Sequence, residues 1–201
     1  MKQIKNIIFD FGGVLIDWNP KYLYSKVFRS EEEMNYFLEN ICRYEWNLMQ
    51  DAGRSLVEAT LLLQQEYPDY TDEIAIYYGR WEEMLGGIIE GNVNLIKPLK
   101  EKYKIYGLTN WSDETIPIAM ELYDFFDDLD GVVVSGKEKV VKPDAKIYKI
   151  LLDRYSINAE ESLFIDDNID NIFTAKKMGF KTIHFTNDFS LEKKLIEIGV
   201  L

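Results

Sequence analysis

The sequence predicts an α/β protein: a doubly wound, parallel, five-stranded core sheet of Rossmann-like type with an inserted α-helical cap. Two observations carry the core. Five short runs rich in Ile, Val, Phe and Leu are mostly continuous rather than alternating, as in strands covered on both faces. Helical patterns separate four of the five, and strand–helix alternation favours parallel pairing through right-handed crossovers. A third observation carries the cap. The stretch 16–87 breaks the rhythm with successive helix starts and no strand signal.

The strands are expected over 4–9, 104–109, 131–135, 162–165 and 181–185. A helix over 112–123 starts at Ser112 or Thr115, because Pro117 fits a first turn and not a helix middle. A helix over 144–154 has Asp144 as its N-cap and Ile147, Tyr148, Ile150 and Leu151 on one face. A third, over 169–178, stops at Gly179. Within the insert, Asn19-Pro20 reads as N-cap and first helical residue. Ser30-Glu31-Glu32-Glu33 and Ser55-Leu56-Val57-Glu58 read as capping boxes, the second running on through Leu61, Leu62 and Leu63 to Pro68. Thr71 opens a helix carrying Ile74, Tyr77, Tyr78, Trp81, Met84 and Leu85, ended by Gly86-Gly87. The chain thus divides into a core of residues 1–15 and 88–201 and a helical cap of residues 16–87, with extra helices packed on the sheet as the plainer alternative.

Composition removes several function classes. With 201 residues, 47% hydrophobic, the chain can bury a core without disulfide or structural metal. A single cysteine, Cys42, excludes an intrachain disulfide, and a single histidine, His184, excludes a His-rich zinc site and argues against a Ser–His–Asp triad. Cys42 reads as packing and His184 as a structural histidine in the last strand. Lys plus Arg number 23 against 35 Asp plus Glu, a net charge of −12. Such a chain repels nucleic acid and anionic lipid unless a basic patch intervenes, and no Lys/Arg cluster supplies one. The apolar run after Lys5 stops at Asp10, too soon for a signal peptide or a spanning helix. A cytoplasmic enzyme or binding protein is expected, with no nucleic-acid or membrane partner. Nothing in the sequence specifies an oligomeric state.

In a doubly wound sheet, ligands sit beyond the carboxyl ends of the strands. Those ends carry Asp10-Phe11-Gly12-Gly13, Thr109-Asn110, Lys142-Pro143-Asp144 (after the third strand) and Asp166-Asp167-Asn168. Each has a bland reading: Asp10 as a turn residue, Asp166-Asp167 as acids at a helix start, Lys142 as a surface cation, Thr109 as a good strand former. Together they place three carboxylates, a hydroxyl and a lysine on one rim. Carboxylates so placed repel unless a cation neutralises them, and two or three with a carbonyl suit Mg²⁺. A divalent ion beside a hydroxyl, an ammonium and glycine-freed amides makes a phosphate site, in which Asp10 can act as nucleophile.

The four segments resemble, in order, the four motifs of the haloacid dehalogenase-like hydrolase superfamily. They are Ile7-Ile8-Phe9-Asp10-Phe11-Gly12-Gly13-Val14-Leu15, Leu108-Thr109-Asn110, Lys142-Pro143-Asp144 and Phe164-Ile165-Asp166-Asp167-Asn168. The helical insert sits where one subgroup carries a small helical cap. The resemblance implies roles for this chain. Asp10 forms a covalent aspartyl intermediate. Thr109, with Asn110 beside it, binds phosphoryl oxygens. Lys142 neutralises phosphoryl group and Asp10 together. Asp166 and Asp167, with Asp10 and the Gly12 carbonyl, hold Mg²⁺. The substrate implied is a small phosphorylated metabolite.

One position departs from the family's phosphatase pattern. Those enzymes usually carry a second aspartate two residues after the nucleophile, to protonate the leaving oxygen and then activate water. Gly12 stands there instead. General acid–base help is typically worth about 10² to 10⁴ in rate, so a phosphatase needs a good leaving group or an acid from the cap, and Asp17 is the nearest later carboxylate. The family's dehalogenases also lack the second aspartate, but they use no metal and usually replace the fourth motif's acids. Retention of Asp166-Asp167 favours Mg²⁺ and phosphate over a metal-free dehalogenase or a catalytically weak phosphate-binding protein. Trp18 and Trp111 read equally as pocket lining or hinge packing. Asp51-Ala52-Gly53-Arg54 reads first as an interhelix turn and alternatively as a loop reaching the active site.

Overall fold

A computed structural model describes residues 3–201 of the chain. Its central sheet is built from β1 (Asn6–Phe9), β4 (Lys104–Thr109), β5 (Gly131–Val134), β6 (Ser162–Asp166) and β7 (Lys181–His184), in the spatial order β5-β4-β1-β6-β7. All neighbours are parallel, with Phe9 opposite Gly107 on one side and Ile165 on the other. The five expected strands are these five, within two residues at each end. The continuous apolar runs have their expected cause. Successive β1 residues alternate between two buried clusters, Ile7 and Phe9 on one face and Ile8 with Phe164 and Tyr148 on the other.

The helix signals are realised by side chains. Asp144 Oδ1 accepts from the Lys146 amide at 2.8 Å at the start of helix Ala145–Tyr155. Ser30 and Ser55 accept from the amides of Glu33 and Glu58. Asn168 accepts from the Asp170 amide and opens helix Ile169–Lys177. Helix Ile116–Leu122 takes the later of the two expected starts, with Thr115 preceding it and Pro117 in its first turn.

The stretch 16–87 holds helices Lys21–Tyr24, Glu31–Asn40, Tyr44–Asp51, Leu56–Glu66 and Thr71–Gly79. The expectation of no strand within it is overturned. β2 (Ile16–Trp18) pairs antiparallel with β3 (Leu85–Ile88), a two-stranded ribbon where the chain leaves and rejoins the sheet. Leu85-Gly86-Gly87, expected to end a helix, is therefore strand, and the helix from Thr71 already stops at Gly79. Glycine gives no strand signal, because it has no side chain to pack. Its use here is steric: a Cβ on Gly86 would lie 2.5 Å from Asp17 Oδ2 and 2.8 Å from the Tyr22 ring. Among the described residues, no helix is long and apolar enough to cross a membrane.

Candidate active site

In the order β5-β4-β1-β6-β7, the chain leaves β1 on one side and returns on the other, so the crevice between β1 and β6 is the topological switch point. Asp10 follows β1 and Asp166 ends β6. The register therefore brings these two carboxylates together at one strand end, and Asp167 follows. One oxygen from each of Asp10, Asp166 and Asp167 lies within 4.8 Å of the others. The three carboxylates expected on one rim are thus assembled there.

Lys142 is the cation among them. It is 2% exposed, and its Nζ lies 2.8 Å from Asp10 Oδ2 and 2.6 Å from Asp166 Oδ2 while donating to the Leu108 carbonyl at 2.9 Å. Burial works against its charge, but Asp10 and Asp166 outweigh it and hold the ammonium above its ordinary pKa. Asn110 places it: the amide side chain accepts from the Lys142 N–H at 2.7 Å and donates to the Lys142 carbonyl at 3.0 Å. Asn110 also lines the central cavity, whereas Thr109 is buried at the end of β4 and lies outside the cavity wall.

The carboxylates differ in access. Asp10 lines the cavity, with Oδ1 accepting from the Phe11 amide at 2.7 Å. Burial, reinforced by Asp166 and Asp167 against Lys142, pushes its pKa well up. Asp167 also lines the cavity; burial and Asp166 raise it as well. Asp166 has no exposed surface, and both its oxygens are engaged, Oδ1 by the Asn168 amide and Oδ2 by Lys142, with Asn171 donating to each. His184 Nε2 donates to the Asp167 carbonyl at 2.9 Å, which makes it a structural histidine.

The turn after Asp10 needs its glycines differently. Gly13 has φ +72°, and a Cβ there would collide with the Asp167 carboxylate. Gly12 lines the cavity, and a Cβ built on it meets nothing within 4 Å. One ammonium against three carboxylates leaves this cluster two charges short of balance, and hard oxygens in that number suit a divalent cation such as Mg²⁺.

Above this floor lies a cavity of about 290 Å³. Trp18 and Trp111 both line it, joined by Tyr44, Tyr78 and Trp81 from the insert. Asp17 is not in its wall; its Oδ2 accepts from the Tyr22 hydroxyl at 2.6 Å. Asp51, the last residue of helix Tyr44–Asp51, is in the wall, whereas Ala52, Gly53 and Arg54 form the interhelix turn after it. Burial pushes the Asp51 carboxyl up to about 7, partly offset by the Ser112 amide. Tyr78 and Trp81, expected as core of the insert, line the cavity instead, and Tyr44 and Asn47 carry no sequence signal for it. Tyr44 and Asn47 sit on helix Tyr44–Asp51, Tyr78 on helix Thr71–Gly79 and Trp81 in the 3-10 turn after it, and no spacing ties them to strand ends far away in the chain.

A family model described as haloacid dehalogenase-like hydrolase matches residues 7–185. A sesquiterpene phosphatase of Aspergillus oryzae is 23% identical over 190 residues, covering 92% of each chain. An (S)-2-haloacid dehalogenase of Burkholderia cepacia is 25% identical over 200 residues, covering 90% of this chain and 82% of that one. Among solved structures, a variant of a HAD family enzyme from Bacteroides thetaiotaomicron, in complex with magnesium and inorganic phosphate, superposes with TM-score 0.74. It is 23% identical and covers 95% of this chain and 98% of its own, a likeness of fold.

Proposed function

The chain belongs to the haloacid dehalogenase-like hydrolases, and from that premise we propose that it is a Mg²⁺-dependent phosphatase of a small phosphorylated metabolite, with Asp10 as nucleophile. The observation that carries this reading is the acidic surplus: Asp10, Asp166 and Asp167 converge within 4.8 Å, with Lys142 as the ammonium bonded among them. A metal-free dehalogenase gains nothing from that surplus, which raises the energy of the Asp10 carboxylate it must use. A phosphatase uses it to hold a divalent cation beside a phosphoryl dianion.

Asp10, Asp166, Asp167 and the Gly12 carbonyl would hold Mg²⁺, with Asp166 also anchoring Lys142. Bound there, the ion supplies neutralisation of carboxylates and phosphoryl oxygens. The chain's own residues do the rest. Lys142 and the Phe11 amide orient the Asp10 carboxylate, whose oxygen attacks phosphorus as the ester oxygen departs. Lys142 balances charge on the transferring group. Asn110 fixes the Lys142 backbone and so acts as a positioning residue. Water then attacks phosphorus of the aspartyl phosphate and regenerates Asp10. The aromatic walls of the insert keep bulk water from the reacting group.

The test is phosphate release from a panel of phosphorylated and halogenated small molecules, with Mg²⁺ and with excess chelator. Release from phosphate esters only with Mg²⁺ is expected. Halide release, or full activity in chelator, would promote the dehalogenase.

A further inference from the structure

The phosphatase reading leaves one proton without a source. An alkoxide leaves phosphorus poorly unless it is protonated, and Gly12 has no group to do it. Asp17 is committed to Tyr22 and lies outside the cavity. Asp51 is the carboxyl in the cavity wall that belongs to the insert and stands apart from the three-carboxylate cluster.

We propose that Asp51 is the general acid and base of this enzyme, supplied by the cap in place of the side chain that position 12 lacks. The inference rests on the phosphoryl-transfer reading above. Its geometry comes from contacts that dock the Asp51 end of helix Tyr44–Asp51 onto the core. Ser135 Oγ, fully buried, donates to the Asp51 carbonyl at 2.5 Å, and the Trp111 amide donates to Ser135 Oγ at 2.9 Å. Farther along, the Leu56 amide donates to Glu114 Oε1 at 2.8 Å. The carboxyl is itself held: Oδ2 accepts from Asn47 Nδ2 at 3.2 Å, and the Ser112 backbone amide lies near enough to favour its charged form. Asp51 and Asp10 thus line one cavity, the first from the insert and the second from the end of β1.

The environment suits a group that gives a proton and takes one back. Among the described residues, Tyr44, Tyr77 and Tyr78 from the insert are electrostatically tied to Asp51; Arg54 acts on Tyr78 as well, and the Lys139 side chain from the core approaches Gly53 two residues on. Tyr44 also lies within electrostatic reach of Asp10, Asp167 and Lys142. Burial holds the Asp51 carboxyl up to about 7, so a large share of it is protonated at neutral pH and nearly all of it in mildly acidic solution. As an Asp10 oxygen bonds to phosphorus, the bond to the ester oxygen breaks. Its electron pair stays on that oxygen, which takes the Asp51 proton. The resulting Asp51 carboxylate takes a proton from the water that attacks the aspartyl phosphate. Free phosphate leaves, and Asp10 and protonated Asp51 are restored.

The experiment compares kcat/KM of wild type, Asp51→Asn and Asp51→Glu, all with Mg²⁺, on alkyl, aryl and acyl phosphates. For Asp51→Asn the loss should be largest on the alkyl ester, about 10² to 10⁴-fold, and smallest on the acyl phosphate. That leaving group needs little protonation, so the acyl arm also reports that the variant folds. Asp51→Glu should restore part of the alkyl activity. The wild-type alkyl rate should decline above about pH 7, where the acid is deprotonated, and the asparagine variant should lack that decline. An equal loss on all three substrates would make Asp51 structural, and undiminished alkyl activity would remove it from the mechanism. Either result overturns the proposal. If the wild type releases phosphate from none of the three, the phosphatase reading itself falls and carries this one with it.

Discussion

The ammonium of Lys142 lies 2.8 Å from the Asp10 carboxylate, and both residues are less than a tenth exposed. The pair is asymmetric. Lys142 is the positive charge bonded to two buried carboxylates, whereas Asp10 is one of three acids. Lys142→Met should therefore unfold more easily, by about 3–5 kcal/mol, because it strands buried carboxylates. Asp10→Asn removes a carboxylate that burial and its neighbours disfavour, so without metal its stability should equal or exceed wild type while turnover disappears. Urea unfolding with parallel assays checks both. Near-normal turnover in Asp10→Asn would exclude covalent catalysis by Asp10.

Magnesium should act on the fold as well as on the rate. An ion that binds only the folded state stabilises by about 2.7 kcal/mol at a hundredfold excess over its dissociation constant. Tm should rise with Mg²⁺ and return on chelation, and Asp167→Asn should blunt the rise. A Tm insensitive to Mg²⁺ would contradict the assignment of the acidic cluster to a metal.

Asp51 predicts a pH dependence with a definite sign. Its folded pKa is raised from 3.8 to about 7 by burial. Between those values the unfolded chain has lost the proton that the folded chain keeps, so stability is fully present below the lower value and falls as pH rises through the upper one. From about pH 5 to about pH 8, metal-free wild type should lose roughly 2–3 kcal/mol more than Asp51→Asn. Parallel stability curves for the two proteins would contradict a raised Asp51.

Gly12 and Gly13 should respond oppositely to substitution. Gly12 has open space around its missing Cβ, so Gly12→Asp should fold and should recover alkyl phosphate hydrolysis in an Asp51→Asn background. Gly13→Ala must hold a positive φ and push against the Asp167 carboxylate, so it should cost more than about 1 kcal/mol. Thermal melts and the alkyl assay separate the two. Failure of Gly12→Asp to recover any activity would mean that position 12 does not face the leaving oxygen.

The parallel core was legible because β1 and β6 are buried on both faces and carry unbroken apolar runs. The strand-end residues followed from topology, since Asp10, Asn110 and Asp166 needed only the strand order to meet. Two features were not plainly legible, for separate reasons. The β2–β3 ribbon was hidden because Leu-Gly-Gly-Ile has neither alternation nor β-branched bulk. Asp51 was legible only as the weaker of two readings, because besides the local bond from Asn47 it is fixed by long-range contacts, its carbonyl accepting from Ser135 far along the chain. The second motif's hydroxyl illustrates the limit from the other side: Thr109 lies at the expected strand end, yet it is Asn110 that reaches the cavity.

The central claim is that the reaction takes place at phosphorus and not, as in a dehalogenase, at carbon, and heavy-oxygen water tests it most directly. The enzyme is run through many turnovers on a phosphate ester in that solvent with Mg²⁺, and phosphate, alcohol and the peptide containing Asp10 are weighed. Attack at phosphorus places the heavy oxygen in inorganic phosphate and leaves the alcohol and the Asp10 carboxylate unlabelled. Heavy oxygen in the Asp10 carboxylate, with a label-free phosphate, would mean that Asp10 attacks carbon as a dehalogenase does, and would contradict the account.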